Sequence, residues 1–530
     1  MSVCILAAAV AVAGGLDVDH GRQLFVDDYV IESTNGIVRC WNAPTKLEGP
    51  IVRPTAENGV RDGACAVATD GGLWWDPTIA RFRLWYEDNW AGNMRYAESK
   101  DGLVWERPDL GKVKGTNRVF SDDEMRLDRD LDSWSVWPNY KAANPYADWK
   151  MLVSAPGGTT TDTLFTSPDG RTFTRLGVAG YSGDRTTLHY DAILSKWVFS
   201  LRDFRGEWCG KGVGRSRRFH AQEVFAPEQV PYGWDRPSGL AKDAPTPAMK
   251  APDIWKELEL DFGPRGSLYN FDAVPYESLM LGVMEVLHNS PRDNYDCQCA
   301  GLPKQTSLRF AFSRDGRTYL PAPDSALKPS GWGTGKWDTG YLSAIGGICV
   351  IKDERLWFYY SAIRGDAELR GERIFKKPMY LQGMHFNGSI GAATLRRDGF
   401  CGMVADGDGE LVTKPLSFTG SHLFVNAECL FGNVRAEILD GAGKVVPGFS
   451  RADCRWLKYV DRTKVEMVWK GASPDTWVPL GAVKVAGPLR IRFILRCATI
   501  YSFWISPSAR GESRGYVAAG GPAYRGLRDE

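Results

Sequence analysis

The chain has almost no net charge. Its 65 Lys and Arg are set against 64 Asp and Glu, leaving a formal +1 over 530 residues. A protein that neutralises a phosphate backbone needs a basic surplus, so nucleic acid is excluded as a partner. Histidine is scarce, with six in all, and the eleven cysteines include no C-x-x-C pair. A zinc site has no ligand spacing to rest on, and no metal or cofactor is expected. The scattered cysteines read first as small buried hydrophobes, with one or two disulfides possible after export. Long apolar runs are missing too. The one at residues 3–13 is too short to span a bilayer. It has the length of a signal-peptide core and ends on Ala-Val-Ala at 11–13, although no Lys or Arg precedes it. Residues 1–20 are therefore expected to be a signal peptide, and the protein to be secreted or periplasmic. Extended amphipathic helical periodicity is also absent, which leaves strands.

Aromatic residues are plentiful, with 20 Trp, 20 Tyr and 23 Phe. Such a content suits a β-rich chain that packs flat rings between sheets or stacks them on sugar rings, with core filling taking most of the Trp. Three heptapeptides share Ser-x-Asp-Gly-x-x-aromatic: SKDGLVW from Ser99, SPDGRTF from Ser167 and SRDGRTY from Ser313. Ser and Asp side chains bond nearby backbone N–H groups and Gly supplies a positive φ, so each heptapeptide predicts a tight turn between strands. The second interval is about twice the first, as if one copy had worn away. Degenerate copies are expected in SRRFHAQ at 216–222 and LRRDGFCG at 395–402.

Five hairpins run in step with these tags, at 74–88, 140–155, 188–203, 274–288 and 349–362. Each has a polar turn followed by a strand with partial alternation. Five hairpins interleaved with five tags predict an all-β fold, a five-bladed β-propeller over residues 21–403. Unrelated hairpins in another all-β architecture are the alternative. The stretch 405–415 reads as a turn-rich boundary. Alternating strands beyond it predict a C-terminal β-sandwich at 404–506. The Gly- and Arg-rich tail at 507–530 is expected to be disordered.

A propeller converges its innermost strands on one axis, so residues entering those strands meet in a common funnel. Asp62, Asp132, Asp184, Asp272 and Asp338 all stand upstream of hairpin turns. Like charges gathered in one funnel push their pKa values apart, which supplies an acid and a base. Taken singly, each Asp also fits a turn residue bonding its own backbone. Glu87 and Asp88, Arg202 and Asp203, and Glu285 and His288 stand where second strands end. Glu285 lies between Met284 and Val286. Apolar company of that kind suits a general acid, and an outward-facing polar position is the alternative. Arg202 suits a carboxylate fork. The tag residues Asp101, Asp169 and Asp315 belong to turn structure.

With the stretches LFVDDYVIE (24–32), RLWYEDNW (83–90) and VTKPLSFTGSHLFVNAE, the chain resembles the five-bladed propeller glycoside hydrolases, the superfamily of families 32 and 43, and within it a bacterial family-32-like group. The likeness runs from about residue 20 to 505. It implies a propeller followed by a β-sandwich, a carbohydrate substrate, and catalysis by carboxylates from different blades. The W-M-N-D-P-N-G signature of the fructosidases is not present, so the reaction type is carried over rather than individual residues.

The expectation is a glycosidase with Asp62 or Asp184 as base or nucleophile and Glu285 as acid. Asp338, Arg202, Asp203, Glu87 and His189 are the substrate-side candidates. Two carboxylates suffice for the chemistry; their separation, not read from sequence, decides between retention and inversion. A non-catalytic carbohydrate-binding propeller and a polysaccharide lyase using Arg202 and His189 are the rival readings. No membrane span is expected, and the oligomeric state is left open.

Overall fold

The computed structural model describes residues 14–54, 65–88, 93–125, 133–154, 161–181, 185–204, 215–227, 254–255, 266–288, 305–331, 334–364, 388–473 and 475–530. The chain divides into two compact units. One comprises residues 43–395 and 516–528. The other comprises the N-terminal segment to Asn42, residues 396–515 and the last two residues.

The first unit is a five-bladed propeller. Blade 1 is Ala66–Asp76, Arg81–Asp88 and Asn93–Ser99. Blade 2 is Ser133–Pro138, Trp149–Ser154, Thr161–Ser167 and Thr174–Tyr181. Blade 3 is Thr187–Asp191, Lys196–Phe204, Arg215–Gln222 and Ile254–Trp255. Blade 4 is Gly266–Glu277, Leu279–His288, Gln305–Ser313 and Leu320–Pro321. Blade 5 is Tyr341–Lys352, Arg355–Ile363 and Ser389–Arg396, completed by Thr45–Lys46 from the start of the chain. The five first strands each pack on the next and close a ring. Each expected hairpin is the first-to-second-strand pair of one blade. The N-terminal strand that finishes blade 5 has no local signal, because its partner lies more than 300 residues away.

The tags close the third strand of blades 1, 2 and 4. In each, the Gly N–H donates to the Ser Oγ (2.8–2.9 Å). The Asp Oδ1 takes two following N–H groups, at 2.7–2.9 Å. Each turn also leans on the preceding blade. Tyr359 Oη of blade 5 donates to Gly102 O (3.1 Å), and Trp85 Nε1 of blade 1 donates to Gly170 O (2.9 Å). A Cβ on Gly316 would come within 2.3 Å of Asp191 Oδ2 of blade 3. The repeat is therefore mortar between blades as well as a turn. Of the degenerate copies, 216–222 is not a turn; it lies within the third strand of blade 3. The 395–402 copy does bend at Gly399, whose N–H reaches Arg396 O (2.9 Å).

Trp74, Trp85, Trp134, Trp137, Trp149 and Trp197 are fully buried in the propeller, filling space between sheets. Between blades 3 and 4 the core is Val198, Phe219, Phe271, Met280, Met284 and Tyr319, among others.

The second unit is all-β and is wound round one long strand, Arg490–Ser506, in an eight-stranded sheet. One edge of that strand pairs with Cys401–Thr413, and the other with His422–Cys429 and Asn433–Leu439. Three boundaries differ from expectation. Residues 21–42 belong here, because Ile31–Asn35 and Val38–Trp41 pair with Cys401–Thr413. The supposed turn-rich boundary at 405–415 lies largely within that strand, with Asp406, Gly407 and Asp408 exposed at a bulge. The tail is ordered. Its strand Tyr516–Val517 pairs with Tyr276–Glu277, and residues 518–520 hydrogen-bond Pro275, Cys349, Ile351 and Trp75. Val517, Ala518 and Ala519 are all buried there, against the finishing residues of the first strands of blades 1, 4 and 5. The seven described cysteines are free thiols. Among the described residues no helix is long and apolar enough to cross a membrane.

Candidate active site

The tail closes one end of the axis, at the finishing residues of the first strands. The opposite half, where those strands begin, holds a buried polar cluster among apolar residues. The first strand of blade 1 carries the stretch Asp70-Gly71-Gly72, and its register shifts between Val67 and Gly72. Blade 5 repeats the device at Ile345-Gly346-Gly347, with a shift between Ala344 and Cys349. The two diglycines meet: a Cβ on Gly346 would lie 2.8 Å from Asp70 O. Bulges of this kind re-aim side chains, and Asp70, with φ +64°, lies in the left-handed region.

Asp70 joins a buried cluster drawn from four blades. Arg185, just ahead of the first strand of blade 3, donates from Nη2 to Asp70 Oδ1 (3.2 Å), Glu285 Oε2 (3.1 Å) and Ser343 Oγ (2.6 Å). Ser343 of blade 5 donates in turn to Glu285 Oε2 (3.0 Å). Asn270 of blade 4 donates to Asp70 Oδ1. Tyr269 and Tyr341 set their rings 5.7 and 5.6 Å from the Arg185 guanidinium carbon. Arg217 holds the backbone below, donating to Arg185 O (2.7 Å) and Tyr269 O. Two contacts to one nitrogen cap the separation of Asp70 Oδ1 and Glu285 Oε2 at their sum, 6.3 Å. The guanidinium lies between them. Tyr269 and Tyr341 also belong to an apolar collar with Cys65, Val67, Leu287 and Ile363.

Burial dominates the electrostatics. It pushes Asp70 well above the usual carboxylate range, Arg185 pulls it down, and Asp272 and Glu285 add to the rise. Asp272, buried on the first strand of blade 4, is pushed up to about 7 by burial and by Glu285, against Arg185 and Arg217. Glu285 sits as a hydrogen-bonded acceptor paired to a cation. Asp70 Oδ2, Asp272 Oδ2 and Asn270 Oδ1 have no hydrogen-bond partner among the described residues. Buried acceptors left open in this way call for an explanation. Among the described residues no three His, Cys, Asp or Glu side chains are placed to hold a metal ion.

Of the nominated residues, Glu285 is in this cluster, and so is Asp272 from the wider list of acids. Asp62, Asp184 and Asp132 lie outside the described residues. Arg202 and Asp203 pair in register with Arg217 and Ser216, and their side chains also lie outside the described set. Glu87 is buried near the end of its strand, opposite Val67, where its charge helps raise the Cys65 thiol after burial has done most of the work. Asp338 is buried elsewhere in blade 5, between Lys46 and Tyr360 Oη. His189 is buried edge-on to Phe271, and burial alone drives its pKa down to about 3, so it is a neutral core ring. Asp70, Arg185, Arg217, Asn270 and Ser343 were missed. The paired diglycines were the one legible pointer, marking where Asp70 turns inward.

No protein-family model and no curated protein matches this chain. Solved structures do. A fructofuranosidase from Schwanniomyces occidentalis, in complex with fructosylnystose, is 10% identical, covering 86% of this chain and 96% of that one at a TM-score of 0.35. An N-acetylgalactosamine deacetylase from F. plautii, in complex with blood group B trisaccharide, is 11% identical over 69% of this chain and 97% of that one, TM-score 0.39. A further glycoside hydrolase is 12% identical over 67% and 94%, TM-score 0.35.

Proposed function

We propose that the chain is an exported glycoside hydrolase that cleaves a glycosidic bond in a polysaccharide or oligosaccharide, using carboxylates at the propeller axis. One observation carries this reading. Asp70 of blade 1 shares a buried polar cluster with Arg185 of blade 3 and with Asp272 and Glu285 of the blade 4 hairpin. Glycoside cleavage needs one carboxyl protonated and another ionised. Asp272, with its pKa pushed up to about 7, holds a proton near neutrality and suits the donor to the leaving oxygen. Glu285, fixed by Arg185 and Ser343, suits the ionised base or nucleophile. This reverses the acid role first given to Glu285, because a cation faces it. Asp70 is the supporting acid. Asp62 and Asp184, a few residues ahead of first strands, remain in the proposal as alternative base or nucleophile. Arg202, Asp203, Glu87 and Asp338 remain as substrate-side groups.

The second reading is a carbohydrate-binding propeller without hydrolysis. It is favoured by the position of Arg185 between Asp70 and Glu285, where it ties blades together. Release of reducing ends from a polysaccharide panel separates the two. The proposal expects release by the wild type and its loss in Glu285→Gln with the fold intact. No release from any polymer supports the binding reading, and an unsaturated product absorbing in the ultraviolet marks a lyase.

A further inference from the structure

The second unit exposes at one corner the kind of surface it buries elsewhere. The hairpin joining His422–Cys429 to Asn433–Leu439 ends in Leu430 and Phe431, and Phe431 is 96% exposed. Tyr459, 83% exposed, lies beside this tip because its N–H donates to Cys429 O (3.1 Å). Its φ of +56° is a left-handed backbone that a bulky residue adopts only at a cost. Trp456, 46% exposed, comes next along the same edge, where Leu457 pairs with Val434. Two cations face the Trp456 ring: the Arg435 guanidinium carbon at 4.1 Å and Lys458 Nζ at 4.2 Å from its centre. Neither cation has a carboxylate partner among the described residues. Arg435 Nε is buried and has no hydrogen-bond acceptor there.

Monomeric proteins rarely leave large rings grouped at a surface without a use for them. Three planar rings and only one aliphatic side chain suit the flat C–H face of a sugar better than an acyl chain, since aromatic faces draw polarised C–H groups. Two cations without counterions suit an anion, Arg435 with a fork that matches a carboxylate or sulfate. We propose that this corner is a docking surface for an anionic polysaccharide, with Phe431 and Tyr459 as stacking platforms and Arg435 and Lys458 as partners for its charged groups. The proposal rests on the glycosidase reading only in taking the polymer to be a carbohydrate.

Affinity electrophoresis of the full chain tests it, with polygalacturonate as the anionic probe and arabinan as the neutral control. Polygalacturonate retards the wild type, added salt weakens the retardation, and arabinan leaves mobility unchanged. The double variants Phe431→Ala/Tyr459→Ala and Arg435→Gln/Lys458→Gln each lose about ten-fold or more in apparent affinity, with hydrolysis of a short oligosaccharide unchanged. Glu285→Gln keeps full retardation, so failure of the axial chemistry is told apart from failure of docking. Four results overturn the proposal: unretarded wild type, wild-type retardation in both double variants, equal retardation by arabinan, or phosphatidylglycerol vesicles binding in place of the polymer. A fall in oligomeric mass as the sole effect of the variants likewise overturns it, and makes the corner a contact between copies of this chain.

Discussion

Two buried aspartates, one in each unit, have similar surroundings. Asp70 and Asp398 both have positive φ, at +64° and +60°, and both face a buried arginine. Asp398 is well supplied with donors: its Oδ2 takes Arg22 (3.0 Å), Ser502 (2.6 Å) and Asn426 (3.4 Å). Arg22 in turn lies 4.0 Å over the Trp504 ring. Around Asp70 the supply falls short, since its Oδ2 and that of neighbouring Asp272 are open. A buried charge with a full set of partners serves the fold. The open acceptors beside Arg185 leave hydrogen-bonding capacity that the described fold does not use, and this is what the proposed chemistry draws on.

The strongest way to break this comparison is to remove each arginine. Arg22→Ala and Arg185→Ala each leave a carboxylate buried and uncompensated, which costs about 3–5 kcal/mol in denaturant unfolding. A loss confined to Arg22→Ala means that water already reaches the axial acids. Asparagine sharpens the contrast. Asp398→Asn loses hydrogen bonds to a charged group and costs about 1.5–3 kcal/mol. Asp272→Asn gives up a carboxyl already protonated near neutrality and stays within about 1 kcal/mol of the wild type.

The pH dependence separates two buried groups of opposite sign. The folded pKa of Asp272 is raised to about 7, so its contribution is fully present below the unfolded carboxylate value of about 3.9 and is lost as pH rises toward 7. His189 is lowered to about 3, so its contribution is present above about 6.5 and lost as pH falls toward 3. Thermal midpoints across pH 3–7 test both: His189→Leu flattens the acid side, and Asp272→Asn gains on the wild type as pH rises. The smallest effect belongs to the tags. Asp315→Ala frees two backbone N–H groups and costs about 1 kcal/mol, with turnover unchanged, because the turn binds blade 4 to blade 3 away from the axial cluster.

Local chemistry was legible in the sequence, and long-range pairing was not. The Ser-x-Asp-Gly turns depend on contacts within a few residues, and alternation within 274–288 marks a hairpin by itself. From these the five blades follow. Thr45–Lys46 completing blade 5, Ile31–Asn35 joining the second unit and the tail pairing with blade 4 depend on partners hundreds of residues distant. The site divides in the same way. Glu285 stood out as a carboxylate in an apolar strand. Arg185 follows Asp184, and a single arginine before a strand gives no hint of the three blades it reaches.

The most direct test of the axial chemistry is the turnover of Asp272→Asn, measured with its thermal midpoint in the same preparation. A fall of about 10²–10⁴-fold with no fall in the midpoint is the result expected for loss of a proton donor. Wild-type turnover in Asp272→Asn and in Glu285→Gln alike contradicts the account and leaves the Arg185 cluster as an internal tie between blades.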